Sequence, residues 1–305
     1  MLVPLYMSVS PSIQARSMDW KNEHYDRYHH DLVSVRYSHP SYEIKQKPVF
    51  ITAHGFGASP FEWKEFKDYV ETHSNALVSN VYLGHHQNLQ LFSTATWQDW
   101  MQPIISEYQR LIDLGFETIN LCGCSTGATL MLQLFHHNMF RPSIPIKHVV
   151  FIDSLIKTKK KLLYLLPYFK YFIKDIPVSS TTEEHHHWLP VRPLFSLLQL
   201  LDLINHSHDI LKKGVSCASH ITFSLFQSKH DPIIERQSAL DIYNGLLKKT
   251  PLDISITMVQ SKKHVFTRLE GREDVTLKDI ELQQHIFKKI LTTTQQKCPN
   301  LSLSL

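Results

Sequence analysis

Glycine is scarce in this chain, at nine residues in 305. Each position that holds one therefore needs a reason, and two of the nine flank a single serine. Cysteine is scarce too. Cys122, Cys124, Cys217 and Cys298 are too few and too unevenly placed for a disulfide framework. Cys122 and Cys124 lie on one side of what reads as a buried strand, and the turn that follows should carry them apart. A reducing compartment is expected, hence a cytoplasmic location. No run of about 18 or more apolar residues occurs, so no membrane-spanning helix is predicted. The opening "MLVPLYMSVSPSIQAR" lacks a basic start and an unbroken apolar core, so no signal peptide is expected. The H-E-x-x-H and C-x-x-C zinc spacings are both absent. The 20 histidines, several in runs such as "GHHQ" and "EEHHHW", read as solvated or packed side chains. Neither a metal nor an organic cofactor is expected. A net charge of +4 is small for this length and does not point to nucleic acid.

What is present is an ordinary globular composition, 43% hydrophobic and 20% charged. The length suits one large α/β domain or two small ones. Segments alternate strand and helix, which predicts an α/β fold with a mostly parallel central sheet flanked by helices. Predicted strands are "PVFITAH", "NALVSNVYL", "ETINLC" ending at Cys122, "HVVFID", "HITFSLFQ" and "LDISITMVQ". Trp97, Trp100, Met101, Ile104, Ile105, Tyr108, Leu111 and Ile112 fall on one face of a predicted helix. "TGATLMLQLF" is apolar on nearly all sides, as a helix packed centrally on a sheet should be. A later helix should carry Ala239, Leu240, Tyr243, Leu246 and Leu247 on one face. A last one is expected from about Arg272 to Thr292, with Glu273 and Asp274 at the positive end of its dipole. Between Asp153 and His220 the alternation lapses, with no clear strand. This stretch, 154–218, is read as a helical insertion within one domain spanning 1–305. The tail 294–305 is expected to fray.

The serine between glycines lies in "NLCGCSTGATLMLQLF". A G-x-S-x-G match is expected by chance in roughly 2% of chains with these frequencies, so its context must decide. Here a strand precedes it and a helix follows. A sharp turn of this kind lifts the Ser125 hydroxyl above the sheet edge, and the close-packed elements leave no room for side chains at Gly123 and Gly127. The Thr126 N–H then sits at a helix N-terminus, where it can stabilise an anion. A second N–H donor is needed from an earlier strand–helix loop, and Phe56 in "HGFGASP" is placed to supply it. His54 in that motif reads as a loop-organising residue.

Serine becomes a nucleophile only when an imidazole takes its proton and a carboxylate holds that imidazole. In a strand–helix fold of this type both arrive on loops at strand ends, in the order Ser, acid, His. His264 follows the last strand and precedes the last helix, so it is the expected base. His230 belongs to the acid's own loop. Two aspartates end strands after the serine, Asp153 and Asp231. Asp231 is preferred because its strand should neighbour the one that carries His264, and Asp153 is held in reserve.

Together "HGFGAS", "GCSTG", "QSKHDPII" and "SKKHV" resemble the α/β-hydrolase superfamily in order and context. The likeness is to microbial carboxylesterases and monoacylglycerol-lipase-like enzymes. "NVYLGHHQN" resembles the family's L-x-G-H-G turn, with His86 in place of its second glycine, and "TATWQDWMQPI" resembles the helix that follows it. The resemblance runs from about Val49 to Lys289. It implies hydrolysis of a small-molecule or lipid-like carboxylic ester, with Ser125 as nucleophile, Asp231 as acid, His264 as base, and Phe56 and Thr126 as oxyanion donors. It also implies that 154–218 is a cap over the site. The lysines at 157, 159, 160, 161, 170 and 174 beside "YLLPYF" read as a solvated face, with weak contact to an anionic membrane surface as the alternative. Rival readings are a thioesterase, a proline-type peptidase with Glu183 or Glu184 as amino-group anchor, and a non-catalytic ligand-binding protein of the same fold.

Overall fold

The computed structural model describes residues 37–140, 146–169, 175–178, 181, 184 and 187–295, all within the unit Leu32–Leu305. The stretch considered for a signal peptide and the tail from 296 onward lie outside the described residues, as do Lys170, Lys174, Glu183 and Cys298. The chain begins with α1 (Tyr42–Lys45), β1 (Val49–Ala53), a 3-10 turn at Pro60–Trp63, α2 (Lys64–His73) and β2 (Leu77–Val81). Next come α3 (Leu89–Phe92), α4 (Trp97–Asp113), β3 (Ile119–Cys124), α5 (Thr126–His136) and β4 (Ile146–Ile152). A 3-10 turn at Lys161–Leu165, α6 (Leu166–Phe169), β5 (Asp175–Pro177), β6 (Val191–Pro193) and α7 (Leu194–Lys213) form the intervening stretch. The chain then closes with β7 (Thr222–Ser228), α8 (Gln237–Leu247), β8 (Asp253–Val259) and α9 (Leu277–Gln295).

The main sheet has the order β2-β1-β3-β4-β7-β8, and every pairing in it is parallel. A parallel sheet buries both faces at its centre, so β1 and β3 are buried along their whole length, while the edge strand β8 exposes Asp253 and Ser255. Side chains still alternate. Val49, Ile51 and Ala53 of β1 enter the core under α4, α5, α7 and α8, while Phe50 enters the core under α2 and α9. α5 is buried from Thr126 to Phe135. It sits in the middle of the molecule, which explains its lack of a polar side.

Four expectations need correction. β3 continues past Cys122 to Cys124, because Gly123 and Cys124 still pair with Phe151 and Ile152 of β4. α8 buries Ala239, Ile242 and Leu246 and leaves Leu240 44% exposed, so the apolar stripe is rotated from the one expected. α9 starts at Leu277, after a capping exchange in which the Thr276 backbone and hydroxyl donate to Asp279 and the Asp279 amide donates to Thr276 Oγ1. Such a reciprocal cap fixes the start better than charge at the dipole does. The stretch 154–218 does contain strands. β5 and β6 pair antiparallel, but they are three residues each and carry prolines, too short to show alternation. The long α7 docks on the body, with Trp97 Nε1 donating to Asp202 at 2.8 Å and Gln133 Nε2 to Ser207 at 2.8 Å.

Candidate active site

Ser125 joins β3 to α5 with φ 48° and ψ −118°. A left-handed backbone costs a non-glycine residue on the order of 1–3 kcal/mol. Its surroundings hold it there. The Ser125 N–H donates to Ile152 O at 2.9 Å, and its carbonyl accepts from Leu155 at 3.2 Å and Thr129 at 3.3 Å. The two flanking glycines are steric requirements. A Cβ on Gly123 would stand 2.6 Å from Ala128 N and Cα, and one on Gly127 would stand 2.3 Å from Ala53 O. Both contacts are with backbone, which has nowhere to go.

The loop after β8 brings His264 to the serine. His264 Nε2 lies 3.1 Å from Ser125 Oγ, and His264 Nδ1 lies 2.8 Å from Asp231 Oδ2. A carboxylate can only accept, so Nδ1 carries the proton and Nε2 is left to accept from the serine. Asp231 is fully buried. Its Oδ1 accepts from the amides of Ile233 at 2.6 Å and Ile234 at 2.9 Å, which fixes the carboxylate. Burial opposes a charge on His264. The hydrogen bond and charge of Asp231, with Asp153 and Glu62 behind, outweigh it and raise the imidazole above its usual range. His230 is exposed and outside this chain of contacts.

Asp153 is close by but does a different job. It is fully buried at φ 45°. Its Oδ1 accepts from Ser228 N at 2.6 Å and Gln227 Nε2 at 3.0 Å, and its Oδ2 accepts from Ser228 Oγ at 2.8 Å and Val265 N at 3.2 Å. It thus ties the end of β7 to the residue after His264. Val265 itself has φ 56°, a genuine outlier for a β-branched residue. Burial first, and then the Asp231 charge, push the Asp153 carboxyl up to about 7. Asp153, Asp231 and His264 could bring one ligand atom each within 4.8 Å of one another. As a metal site the cluster fits poorly, because the four oxygens of the two carboxylates already accept the donors just named.

The loop after β1 faces the serine from the other side. His54 Nε2 accepts from Leu83 N at 3.0 Å, so the imidazole is neutral and donates from Nδ1 to Gly55 O at 2.8 Å. Complete burial pushes it down to about 4, which keeps it so. Glu62 also braces this loop. Its Oε2 accepts from Gly55 N at 3.2 Å and from Cys124 Sγ at 3.3 Å. Nothing local in the sequence marks Glu62 for this role. A Cβ on Gly55 would touch Ser125 Cβ at 3.4 Å, so Phe56 begins beside the serine. No described residue accepts a hydrogen bond from the Phe56 or Thr126 amide. His86 is buried among Phe56, Phe92 and Trp100, filling the space above this loop.

Gly55, Phe56 and His264 open onto a cavity of about 870 Å³ whose far wall comes from the stretch between β4 and β7, including Ile176, Val178, Trp188, Arg192 and Leu197. Glu184, the described candidate for a peptidase anchor, is bonded to the fully buried Arg268 at 2.5 Å. Arg268 in turn stacks on Trp188, its guanidinium carbon 4.9 Å from the ring centroid.

A parallel sheet with a strained serine between its third strand and a central helix, and an acid and a histidine at the ends of the last two strands, is the α/β-hydrolase fold. A structure of the metagenome-derived lipolytic enzymes LipS and LipT superposes with TM-score 0.64 at 18% identity, covering 83% of this chain and 95% of that one. The monoglyceride lipase of Saccharomyces cerevisiae superposes with TM-score 0.61 at 12% identity, covering 83% and 89%. In sequence, the chain is 25% identical over 231 residues to a carboxylesterase of Bacillus subtilis, covering 74% of this chain and 88% of that protein. No protein-family model matches the chain. No helix among the described residues is long and apolar enough to cross a membrane.

Proposed function

We propose that this protein is a serine hydrolase of carboxylic esters. One observation carries the reading: Ser125, His264 and Asp231 are joined by contacts of 3.1 and 2.8 Å in the order a proton relay needs. Ser125 attacks the ester carbonyl as His264 takes its proton. The oxyanion that forms is received by the unused amides of Phe56 and Thr126. His264 then protonates the leaving alcohol, and a water activated by the same imidazole releases the acid from the acyl-enzyme. Asp231 holds the imidazole in the productive tautomer throughout. The names of the similar proteins, carboxylesterase, lipolytic enzyme and monoglyceride lipase, support an ester as substrate.

The stretch 154–218 acts as a cap, and its apolar wall is the place for the acyl chain. The peptidase reading loses its described anchor, since Glu184 is committed to Arg268. Part of the basic run is engaged within the protein. Lys157 pairs with Asp241 and Lys161 with Glu235, and Lys159 Nζ donates to Asp231 O. The test is hydrolysis of p-nitrophenyl esters of increasing acyl length, together with a monoacylglycerol. Turnover by wild type and its loss in Ser125→Ala is expected. Background rates across the whole series, from folded protein, would sink the reading.

A further inference from the structure

The cavity beside Ser125 has a charge that an ordinary lipid ester does not call for. Among its described lining residues, Lys160, Arg192, Lys262, Lys263 and Arg272 are cationic, and Glu62 is the only carboxylate. Lys263 is occupied by the carbonyls of Glu273 and Asp274, each at 2.9 Å. The two arginines are half-buried, and no described carboxylate pairs with either. Arg192 spends Nη1 on Leu189 O at 2.7 Å and keeps Nε and Nη2 without a described partner. Arg272 spends Nη2 on His264 O at 2.8 Å and Val265 O at 3.0 Å, and its Nε is buried without one. Arg268, by contrast, is paired with the carboxylate of Glu184. A guanidinium taken out of water without a counter-charge is costly. That cost registers as a fall of the Arg192 value to about 10, driven by burial and only partly offset by Glu62.

The position of Arg192 ties it to the chemistry. Its guanidinium carbon lies 5.7 Å from the centre of the Phe56 ring. A Cβ on Gly57 would stand 2.5 Å from that same carbon. The cation therefore rests against the backbone of the loop that supplies the Phe56 amide. The rest of the wall is apolar, with Ile176, Val178, Trp188, Leu197 and Ile233.

We infer that the cavity takes an amphiphilic ester bearing a second, anionic oxygen group, a carboxylate or a phosphate, which Arg192 holds with Arg272 and Lys262. This rests on the ester-hydrolase reading above and specifies its substrate class. A planar guanidinium with free N–H groups matches either oxyanion, and the apolar wall takes the chain.

Matched pairs that differ in one anionic group test it. For a carboxylate the pair is p-nitrophenyl hemiglutarate against p-nitrophenyl pentanoate. For a phosphate it is lauroyl lysophosphatidic acid against monolauroylglycerol. Wild type is expected to favour the charged member of one pair by about tenfold or more in kcat/KM, and the favoured pair names the group. Arg192→Gln should bring that ratio close to unity, and Arg192→Lys should retain part of it. Lys262→Glu, at an exposed position, should lower it without disturbing the core. Equal turnover within both pairs, or a preference that survives Arg192→Gln, overturns the inference and leaves the ester-hydrolase reading standing. If no ester is turned over, that reading falls, and calorimetry of decyl phosphate and decanoate with Ser125→Ala decides the inference. Binding of either that is lost on adding Arg192→Gln supports it. Binding that is absent, or indifferent to Arg192, overturns it.

Discussion

Asp153 and Asp231 are both buried aspartates at strand ends beside one histidine, and their different partners give them different tasks. Asp231 meets His264 Nδ1 directly. Asp153 meets the amide after it and the end of β7. Asp231→Asn is therefore expected to lower kcat by about 10,000-fold, because an amide in that place favours the wrong tautomer. Asp153→Asn should cost far less activity and instead reduce stability by about 1–3 kcal/mol, as Val265 and Ser228 lose acceptors. Steady-state rates and denaturant titrations of the two variants check this. A larger activity loss in Asp153→Asn would reverse the assignment. The pH profile follows from the same charges. An imidazole accepts a proton only when neutral, and the value of His264 is raised from the ordinary 6.5. Activity should thus rise with pH through a midpoint above 6.5. Removing the Asp153 charge favours the neutral imidazole and should move that midpoint to lower pH. A shift to higher pH would contradict the electrostatics.

At the scale of elements, the turn between β3 and α5 was legible because its requirement is local. Gly123 and Gly127 stand where two backbones approach, and that need is written within a few residues of Ser125. Gly127→Ala would force α5 away from β1 and should destabilise the protein by about 1–3 kcal/mol, read as a lower denaturant midpoint. An unchanged midpoint would mean the elements yield freely. The hairpin of β5 and β6, and the roles of Glu62, Arg192 and Arg268, were not legible. Each depends on partners brought together by the tertiary fold, and no periodicity or short motif encodes them. Glu184 stood as a candidate anchor in the sequence for the same reason. Only the fold reveals that Arg268, 84 residues away, claims it. Arg268→Ala leaves Glu184 buried without its cation, with only the Thr181 amide to meet its charge, at a cost of about 3–5 kcal/mol. Faster proteolysis around Trp188 than in wild type is the expected sign, and equal cleavage would show the pair to be dispensable.

For the molecule as a whole, the alternation of strands and helices was enough to indicate a parallel sheet, and the order of strand ends pointed to Ser125, Asp231 and His264 as candidates, with Asp153 in reserve. Those three stand within hydrogen-bonding reach although 139 residues separate the serine from the histidine. The order of strands in the sheet makes this so, since β7 and β8 are neighbours. The assignment meets its most direct test in intact-mass analysis after treatment with a fluorophosphonate, followed by peptide mapping. A single adduct on the peptide containing Ser125 is expected for wild type, with none on folded Ser125→Ala and little on folded His264→Ala. Folded wild type that stays unmodified, or an adduct that persists without Ser125, would contradict it.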